Sequence, residues 1–389
     1  MAEPLPADHP TEPAPVRPRD VLGAPVVPPA AAATAANRLR AGIARLLRAP
    51  APLPVRILEG LLGGLDQAAL VALCRAGVPE HLEGPTEIPS LAADLGVAPD
   101  RLERLLRYAA TRGWVRLDRR GRVRPTPVIE FLRRDHPSGW RAWVEFMSGP
   151  EVARSLGALA DGLAADGDPF ASANGAPFFA WMAAHPDRHV AFDAAMATGG
   201  RMHGLVLARA LDWRDSRRVC DVGGGTGALL ATLLTAHPHL EGVLVELPEV
   251  AARAQAHPRL DVQGGDAFAA VPDGCDTYLL VNVVHDWDDG AAIRLLANIA
   301  AALPDEPAAR VVIVEGRLHE RPRDDIASRT DLLMLALTPG GHERTPEQFD
   351  ALARAAGLRR RRTVGLASGD DAHVLERASS RDGDRGAVG

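Results

Sequence analysis

Between Arg217 and Leu230 the chain reads RRVCDVGGGTGALL, and this stretch restricts the fold more tightly than any other. Val219 to Val222 have the apolar, β-branched character of a buried strand end. Gly223, Gly224, Gly225 and Gly227 then let the backbone take positive φ and leave it bare for a ligand to lie against. Ala228-Leu229-Leu230 opens an apolar helix, whose unpaired N–H groups and positive dipole end favour an anionic part of that ligand. The unit holds a nucleotide-like cofactor. Which cofactor depends on the rest of the chain.

Downstream of the loop, strand and helix patterns alternate. Strands are expected at 242–247, 259–265, 276–284, 310–316, 361–367 and 372–378, with amphipathic helices between the first five. Short β-branched strands between such helices indicate an α/β, doubly wound (Rossmann-like) sheet, with the last two strands as an antiparallel edge hairpin. Ligands of these sheets bind beyond the carboxyl ends of the strands.

Upstream, residues 1–35 are rich in Pro and Ala, a composition that buries too little apolar surface to offset ordering entropy, so a disordered tail is expected. Residues 36–138 show helical periodicity from about Pro54, a short helix with Ser90 as N-cap, a helix starting at Pro99-Asp100, and two short strands around Arg119-Arg120-Gly121. That order is a winged-helix pattern. Residues 139–210 read as helices joined by a Gly/Pro-rich segment, residues 211–378 as the sheet domain, and 379–389 as a tail. A winged helix raises DNA binding, with Arg101, Arg104 and Arg107 on the third helix and Arg119, Arg120, Arg122 and Arg124 on the wing. Against it, the net charge is −6, all 44 basic residues are arginines, and Glu103 and Asp118 interrupt the patch.

Cys74, Cys220 and Cys275 are far apart, without metal-ligand or redox spacing, which suits reduced thiols in a cytoplasmic protein. No signal pattern opens the chain, and no apolar run is expected to be long enough to span a bilayer. His185 and His189 stand four apart on a helix, a metal-like spacing, yet no HExxH context or third ligand accompanies them, so no metal site is expected.

The cofactor is decided by acids. Gly223, Gly225 and Ala228, with Glu246 following to hold a ribose diol, satisfy a dinucleotide fingerprint, so spacing alone leaves NAD open. Asp221 lies inside the strand end, facing the loop, where it suits the ammonium of a methionine moiety. Asp266, ending the next strand but one, is placed for an adenine amino group. Acids at three successive strand ends favour S-adenosylmethionine, with S-adenosylhomocysteine as its product.

His285, in VNVVHDWDD, lies just past the fourth strand. Methyl transfer from a sulfonium is an in-line displacement that needs alignment and removal of the acceptor's proton. A phenol titrates near pH ~10 and imidazole near ~6.5, so a positioned histidine is matched to the task. Glu315, ending the fifth strand, and Glu343, in GGHERT, are candidates to orient it. Asp286, Asp288 and Asp289 read as caps of the following helix. Most of the chain's few aromatics gather between 139 and 210. Phe179, Trp181 and Met196 there, with Asn282 and Asp286, are candidates for a flat, apolar acceptor pocket.

In order, DVGGGTG, VELPEV, GGDAF, VVHDWDD, VVIVEG and GGHERT resemble the S-adenosylmethionine-dependent O-methyltransferases of the plant caffeate type and their actinobacterial natural-product relatives. The resemblance covers about residues 54 to 378. It implies a class I methyltransferase domain with a seven-stranded sheet, a homodimer formed through the winged-helix domain, no nucleic-acid or membrane partner, and no metal. By motif, Asp221, Gly223 and Gly225 would contact the methionine end, Glu246 the ribose, and Asp266 and Phe268 the adenine. His285 would be the general base, supported by Glu315 and Glu343, and Met196 would line the acceptor pocket. Glu246 stands where the family usually has Asp, and Val284 where it has Leu. The expected reaction is O-methylation of a phenolic hydroxyl on an aromatic or polyketide-like secondary metabolite. Relatives that hydroxylate or decarboxylate with the same cofactor site keep a second reaction open, and a winged-helix metabolite sensor is the alternative from another class.

Overall fold

The computed structural model describes residues 27–48, 50–164 and 167–378. Helix α1 (Ala30–Arg48) begins inside the expected disordered tail, because AAAATAAN is a run of the strongest helix former. The rest of that tail, 1–26, and the tail 379–389 lie outside the described residues. Helices α2 (Leu53–Leu62) and α3 (Gly64–Arg75) follow almost without a break. Together, Leu53–Arg75 is long and apolar enough to cross a bilayer by length and composition, which corrects the expectation that no run reaches that length. Its second half is tied into a globular core instead. Leu73 and Cys74 are buried, and Asp66 accepts a hydrogen bond from the Tyr108 hydroxyl at 2.8 Å.

That core is completed by α4 (Val78–His81), β1 (Thr86–Glu87), α5 (Ile88–Asp94), α6 (Pro99–Thr111), β2 (Val115–Leu117), β3 (Arg122–Pro125) and α7 (Pro127–Phe131). The strands pair in the order β1-β3-β2 as a wing, and Leu91, Leu106, Val115, Val123 and Ile129 fill the space behind it. Ser90 is not an N-cap. The α5 helix starts two residues earlier, where Pro89 sits in its first turn and Glu87 is the cap position. On the wing, Arg122 and Arg124 are spent on Asp118, and Arg107 pairs with Glu103.

Helices α8 (Arg141–Met147), α9 (Pro150–Gly157), α10 (Pro169–Asn174), α11 (Phe178–Ala184) and the 25-residue α12 (Pro186–Ala210) form the middle segment. Beyond it come β4 (Arg218–Val222), α13 (Ala228–Ala236), β5 (Glu241–Glu246), α14 (Pro248–Ala251), β6 (Leu260–Gly264), β7 (Thr277–Val281), α15 (Asp289–Ala302), β8 (Arg310–Glu315), α16 (Ile326–Leu337), α17 (Pro346–Ala355), β9 (Leu358–Gly365) and β10 (Asp371–Arg377). The seven strands run β6-β5-β4-β7-β8-β10-β9, parallel except for β10, which is antiparallel to both β8 and β9. The chain reverses its direction of strand addition at β4, so the glycine loop opens at the switch point, where such sheets bind ligands.

Both sheet faces are covered, which is why β7 and β8 read as continuous apolar runs rather than alternating ones. Cys220, Tyr278, Leu280 and Ile313 pack under α15 and α17, while Val219, Leu279, Val312 and Val374 pack under α13 and the C-terminal half of α12. The α12 and α13 axes approach closely at Gly204, where a Cβ would stand 2.7 Å from the Leu229 carbonyl oxygen and 2.8 Å from Thr232 Cβ. At Gly199, five residues earlier on the same helix, a Cβ would meet nothing within 4 Å. Gly204→Ala is therefore expected to lower the thermal midpoint by the equivalent of ~1–3 kcal/mol, from overpacking. Gly199→Ala is expected to hold or raise it by stiffening the unfolded chain. Calorimetric melts of the two variants check the contrast, and equal midpoints would refute it.

Candidate active site

The carboxyl ends of β4, β5, β7 and β8 open onto one cavity of about 1240 Å³. A single-ligand pocket is commonly ~300–1,000 Å³, so this one has room for cofactor and acceptor together. Its floor is the glycine turn. Gly223, Gly225 and Gly227 have φ of 69°, 59° and 77°, a region closed to most side chains, and a Cβ on Gly224 would run into the Asp221 carboxylate and Leu244.

Asp221 is buried, and its Oδ2 has no hydrogen-bond partner. Burial, with the nearby charge of Glu246, pushes its carboxyl up to about 7. Glu246 accepts hydrogen bonds from the Gly225 and Leu247 N–H groups at 3.1 and 2.7 Å; burial still lifts it to about 7 against their pull. Two desolvated acids side by side are costly unless a cation joins them. Asp266 accepts the Phe268 N–H at 2.9 Å, and Phe268 lies edge-on to Trp287 with centroids 4.7 Å apart, both rings on the cavity wall. An orphaned carboxylate, a bare glycine cradle and an aromatic wall fit a cationic, adenosine-bearing cofactor.

Across the cavity, β7 ends at Val281. Asn282 takes φ 55°, the only positive φ on a non-glycine residue among the described residues, and a 3₁₀ turn, Val284–Asp286, presents His285. Two buried groups hold this turn. Glu315 Oε1 accepts the N–H groups of Val283, Val284 and His285 at 3.1, 2.8 and 3.3 Å. The Arg344 guanidinium, fully buried, donates to the carbonyls of Val284 and Trp287 at 2.9 and 2.7 Å and to Asp289 at 2.9 Å. His285 Nδ1 donates to Glu343 Oε1 at 3.0 Å, with Glu315 Oε2 3.2 Å away, so both carboxylates sit on one ring nitrogen. The other, Nε2, has Asp286 Oδ1 at 3.7 Å. Burial alone would push the imidazole down. The charges of Glu315, Asp286 and Glu343 outweigh it and lift His285 to about 10. Burial raises Asp286 to about 6.

His285, Glu343, Asp221, Gly223, Gly225, Glu246, Asp266, Phe268, Met196, Phe179, Asn282 and Asp286 all line this cavity, and Glu315 lies directly behind it. Trp181 does not. It stacks on His185 at 3.7 Å and edge-on to Phe170 at 5.8 Å, inside the aromatic core. Residues two apart on a helix point in nearly opposite directions, so Phe179 and Trp181 cannot share a wall. Phe179 instead stacks on Trp287 at 5.6 Å. Asp288, rather than Asp286, caps α15, accepting the Ala291 N–H at 2.7 Å. Arg344, whose place in GGHERT suggests that it shapes the entrance of the next helix, clamps the turn instead, and the Asp193–Arg253 pair (2.7 Å) that joins α12 to the cofactor side has no local sequence signal. Trp287 was visible in VVHDWDD, but not its place on the wall.

Residues 156–359, more than half of the chain, match a family described as the O-methyltransferase domain. The chain belongs to this family. An 8-amino-8-demethylriboflavin N,N-dimethyltransferase of Streptomyces davaonensis is 35% identical over 299 residues, 74% of this chain and 85% of the relative. The mitomycin biosynthesis 6-O-methyltransferase of Streptomyces lavendulae is 33% identical over 320 residues, 79% and 90% of the two chains. CalO1, a methyltransferase in calicheamicin biosynthesis solved with S-adenosylhomocysteine bound, superposes with a TM-score of 0.76 at 32% identity, covering 84% of this chain and 98% of that one. The protein is thus an S-adenosylmethionine-dependent methyltransferase with a class I sheet domain.

The buried acids make the stability of the methyltransferase depend on pH. A carboxyl whose folded pKa is raised binds more protons folded than unfolded, so its contribution to stability falls as pH rises from the unfolded value near ~4 to the folded value. For Asp221 the fall ends near about 7. Asp221→Asn removes it. The melting temperature of the cofactor-free variant should gain on wild type steadily between pH ~4 and 7 and hold the gain above. A constant difference across that range would contradict the assignment.

Proposed function

We propose that the enzyme transfers the methyl group of S-adenosylmethionine to a phenolic hydroxyl of an aromatic or polyketide-like secondary metabolite, in the cytoplasm, with His285 as general base. The observation that carries this reading is the His285–Glu343–Glu315 arrangement, in which both carboxylates converge on Nδ1 of a histidine that lines an aromatic-walled cavity. The cofactor supplies an electrophilic methyl group on a sulfonium. Asp221, Gly223 and Gly225 would hold its methionine end, Glu246 its ribose, and Asp266 and Phe268 its adenine. Phe179, Met196 and Trp287 would sandwich the acceptor, with Asn282 and Asp286 at its polar edge. His285 Nε2 takes the hydroxyl proton as the oxygen attacks. Glu343 fixes the tautomer, and Glu315 holds the turn and shares the positive charge left on the ring. We read the cluster as a proton-transfer device rather than a metal site, because both carboxylates converge on Nδ1 and three N–H donors already occupy Glu315 Oε1. A nitrogen acceptor is the second reading, favoured by the 35% identity to an N,N-dimethyltransferase.

Because the base must be unprotonated and its pKa is about 10, kcat/KM should climb from neutral pH towards that value. Glu343→Gln removes one raising charge, so the rising limb should move to lower pH while the maximum falls. His285→Ala should lose ~10²–10⁴-fold in kcat and still bind S-adenosylhomocysteine. Mass spectrometry for a product heavier by one methyl group, over a panel of phenols, reads both. Undiminished product from His285→Ala, or an unmoved limb in Glu343→Gln, would reject the mechanism.

The same reading makes the protein a homodimer through its N-terminal helices. Leu53, Ile57, Leu58, Leu61 and Leu62 on α2 and Leu39, Ile43 and Leu46 on α1 are exposed, and large apolar side chains gathered on two successive helices are the kind of surface that association covers. Light scattering should give twice the chain mass for wild type and a shift towards monomer for Leu58→Glu/Leu61→Glu. A monomeric wild type would refute it.

A further inference from the structure

Charge is distributed unevenly along the cavity. Asp221, Glu246, Glu249, Asp266, Asp286 and Glu343 stand on the side of the cofactor loop and the base. Where the cavity meets solvent, arginines line it from two elements: exposed Arg38 and Arg40 from α1, and exposed Arg323 from the loop between β8 and α16. The acids at this end are already engaged. Asp371 takes the Arg317 guanidinium, Asp324 takes Arg329 at 2.8 Å, and Asp370 lies 2.9 Å from His203 Nε2. Asp325 caps α16 by accepting the Ser328 N–H at 3.0 Å, with His319 Nε2 4.0 Å from its second oxygen. Among the described residues no carboxylate pairs with Arg38, Arg40 or Arg323. In a chain of net charge −6, these unpaired guanidiniums round one opening are a local excess of the opposite sign. A cleft lined by one sign of charge concentrates ligands of the other sign.

We propose that Arg38, Arg40 and Arg323 select an acceptor that carries a carboxylate at the end remote from the methylated hydroxyl. The acids beside the cofactor repel that group and the arginines at the mouth attract it. The molecule therefore enters with its hydroxyl towards His285 and its carboxylate outermost. Arginine suits the task because its planar fork matches both oxygens of a carboxylate and stays charged at every working pH. Leu39, Ile43 and Leu46 are exposed at other positions of α1, so the apolar contact proposed for the dimer and this polar one use different side chains. The inference rests on the cavity being the acceptor site of the proposed reaction.

Matched phenols that differ only in the charge of the far end test this: 4-hydroxybenzoate, 6-hydroxynaphthalene-2-carboxylate and 4′-hydroxybiphenyl-4-carboxylate, each against its carboxamide. The series varies the distance between hydroxyl and acid. Each probe is titrated calorimetrically into the full-length protein saturated with S-adenosylhomocysteine, whose own binding is measured first in every variant. In at least one pair the carboxylate should bind about fivefold tighter than its amide, the upper scale of one exposed ion pair. The preference should vanish in ~1 M NaCl, where charges are screened within ~3 Å. Arg38→Gln/Arg323→Gln should bring the carboxylate to within about twofold of the amide. Arg323→Glu should tighten the aminomethyl analogue of the preferred probe by about fivefold, a gain that misfolding cannot imitate. No binding of any probe, no preference for the carboxylate in any pair, a preference that survives high salt or the double substitution, or an unmoved aminomethyl affinity in Arg323→Glu overturns the proposal. Failure of the methyl-transfer reading shows separately, as product formation indifferent to His285→Ala.

Discussion

The structure depends on one buried carboxylate. Glu315 ends β8 with no exposure to solvent, and its Oε1 gathers three successive N–H groups from the turn after β7 while Oε2 reaches His285 Nδ1. A charged group in that position would be ruinous without donors, and the turn supplies them. In return the turn acquires a rigid shape, including the left-handed Asn282, that an isolated strand end would not hold. Parallel pairing of β7 with β8 brings the two strand ends level, so a relation between residues thirty apart is fixed by the sheet register. Arg344 closes the turn from the other side, joining it to the loop that carries Glu343.

Helix α12 does for the cavity what Glu315 does for the base. Its C-terminal half is cemented to the sheet through Val206 and Leu207, against α13. Its N-terminal half carries Phe192 and Met196 out to the aromatic cluster around Phe146, Phe170 and Phe178, whose rings meet edge-to-face at 5.1 to 6.5 Å. Such pairs add ~0.5–1.5 kcal/mol each beyond area burial, which makes the acceptor wall stiff as well as apolar. One continuous helix thus sets the wall relative to the cofactor loop, and Gly204 sets how close they come.

The glycine loop, the strand-end acids and the His285 motif were legible because each is local, with a turn chemistry or a strand end that announces itself within a few residues. The seven-stranded sheet was legible from periodicity, with strand ends misjudged by one to three residues. Local reasoning failed where neighbours in sequence are not neighbours in space. Trp181 and Phe179 are close in sequence, but the helix turns them apart. Ser90 has the residue type of a cap, yet Pro89 already lies in the first turn of its helix, and the alanine-rich stretch from Ala30 has the composition of a tail, yet alanine favours helix. Arg344, within GGHERT, reads locally as a residue that shapes the entrance of the next helix, whereas its guanidinium clamps the turn that carries His285.

What the sequence determined by itself was the set of parts: a glycine turn after a buried strand, acids at successive strand ends, and a histidine past the fourth strand. These follow from short-range sterics and from the apolar rhythm of strands and helices. Only the tertiary structure decided how the parts meet. It placed two carboxylates on the same nitrogen of His285, left Asp221 without a partner, turned Trp181 away from the cavity and brought Asp370 to His203 across 167 residues. The physical reason is that charge pairing and desolvation depend on distances of a few ångströms, and those distances are set by sheet register and helix packing between segments far apart in the chain.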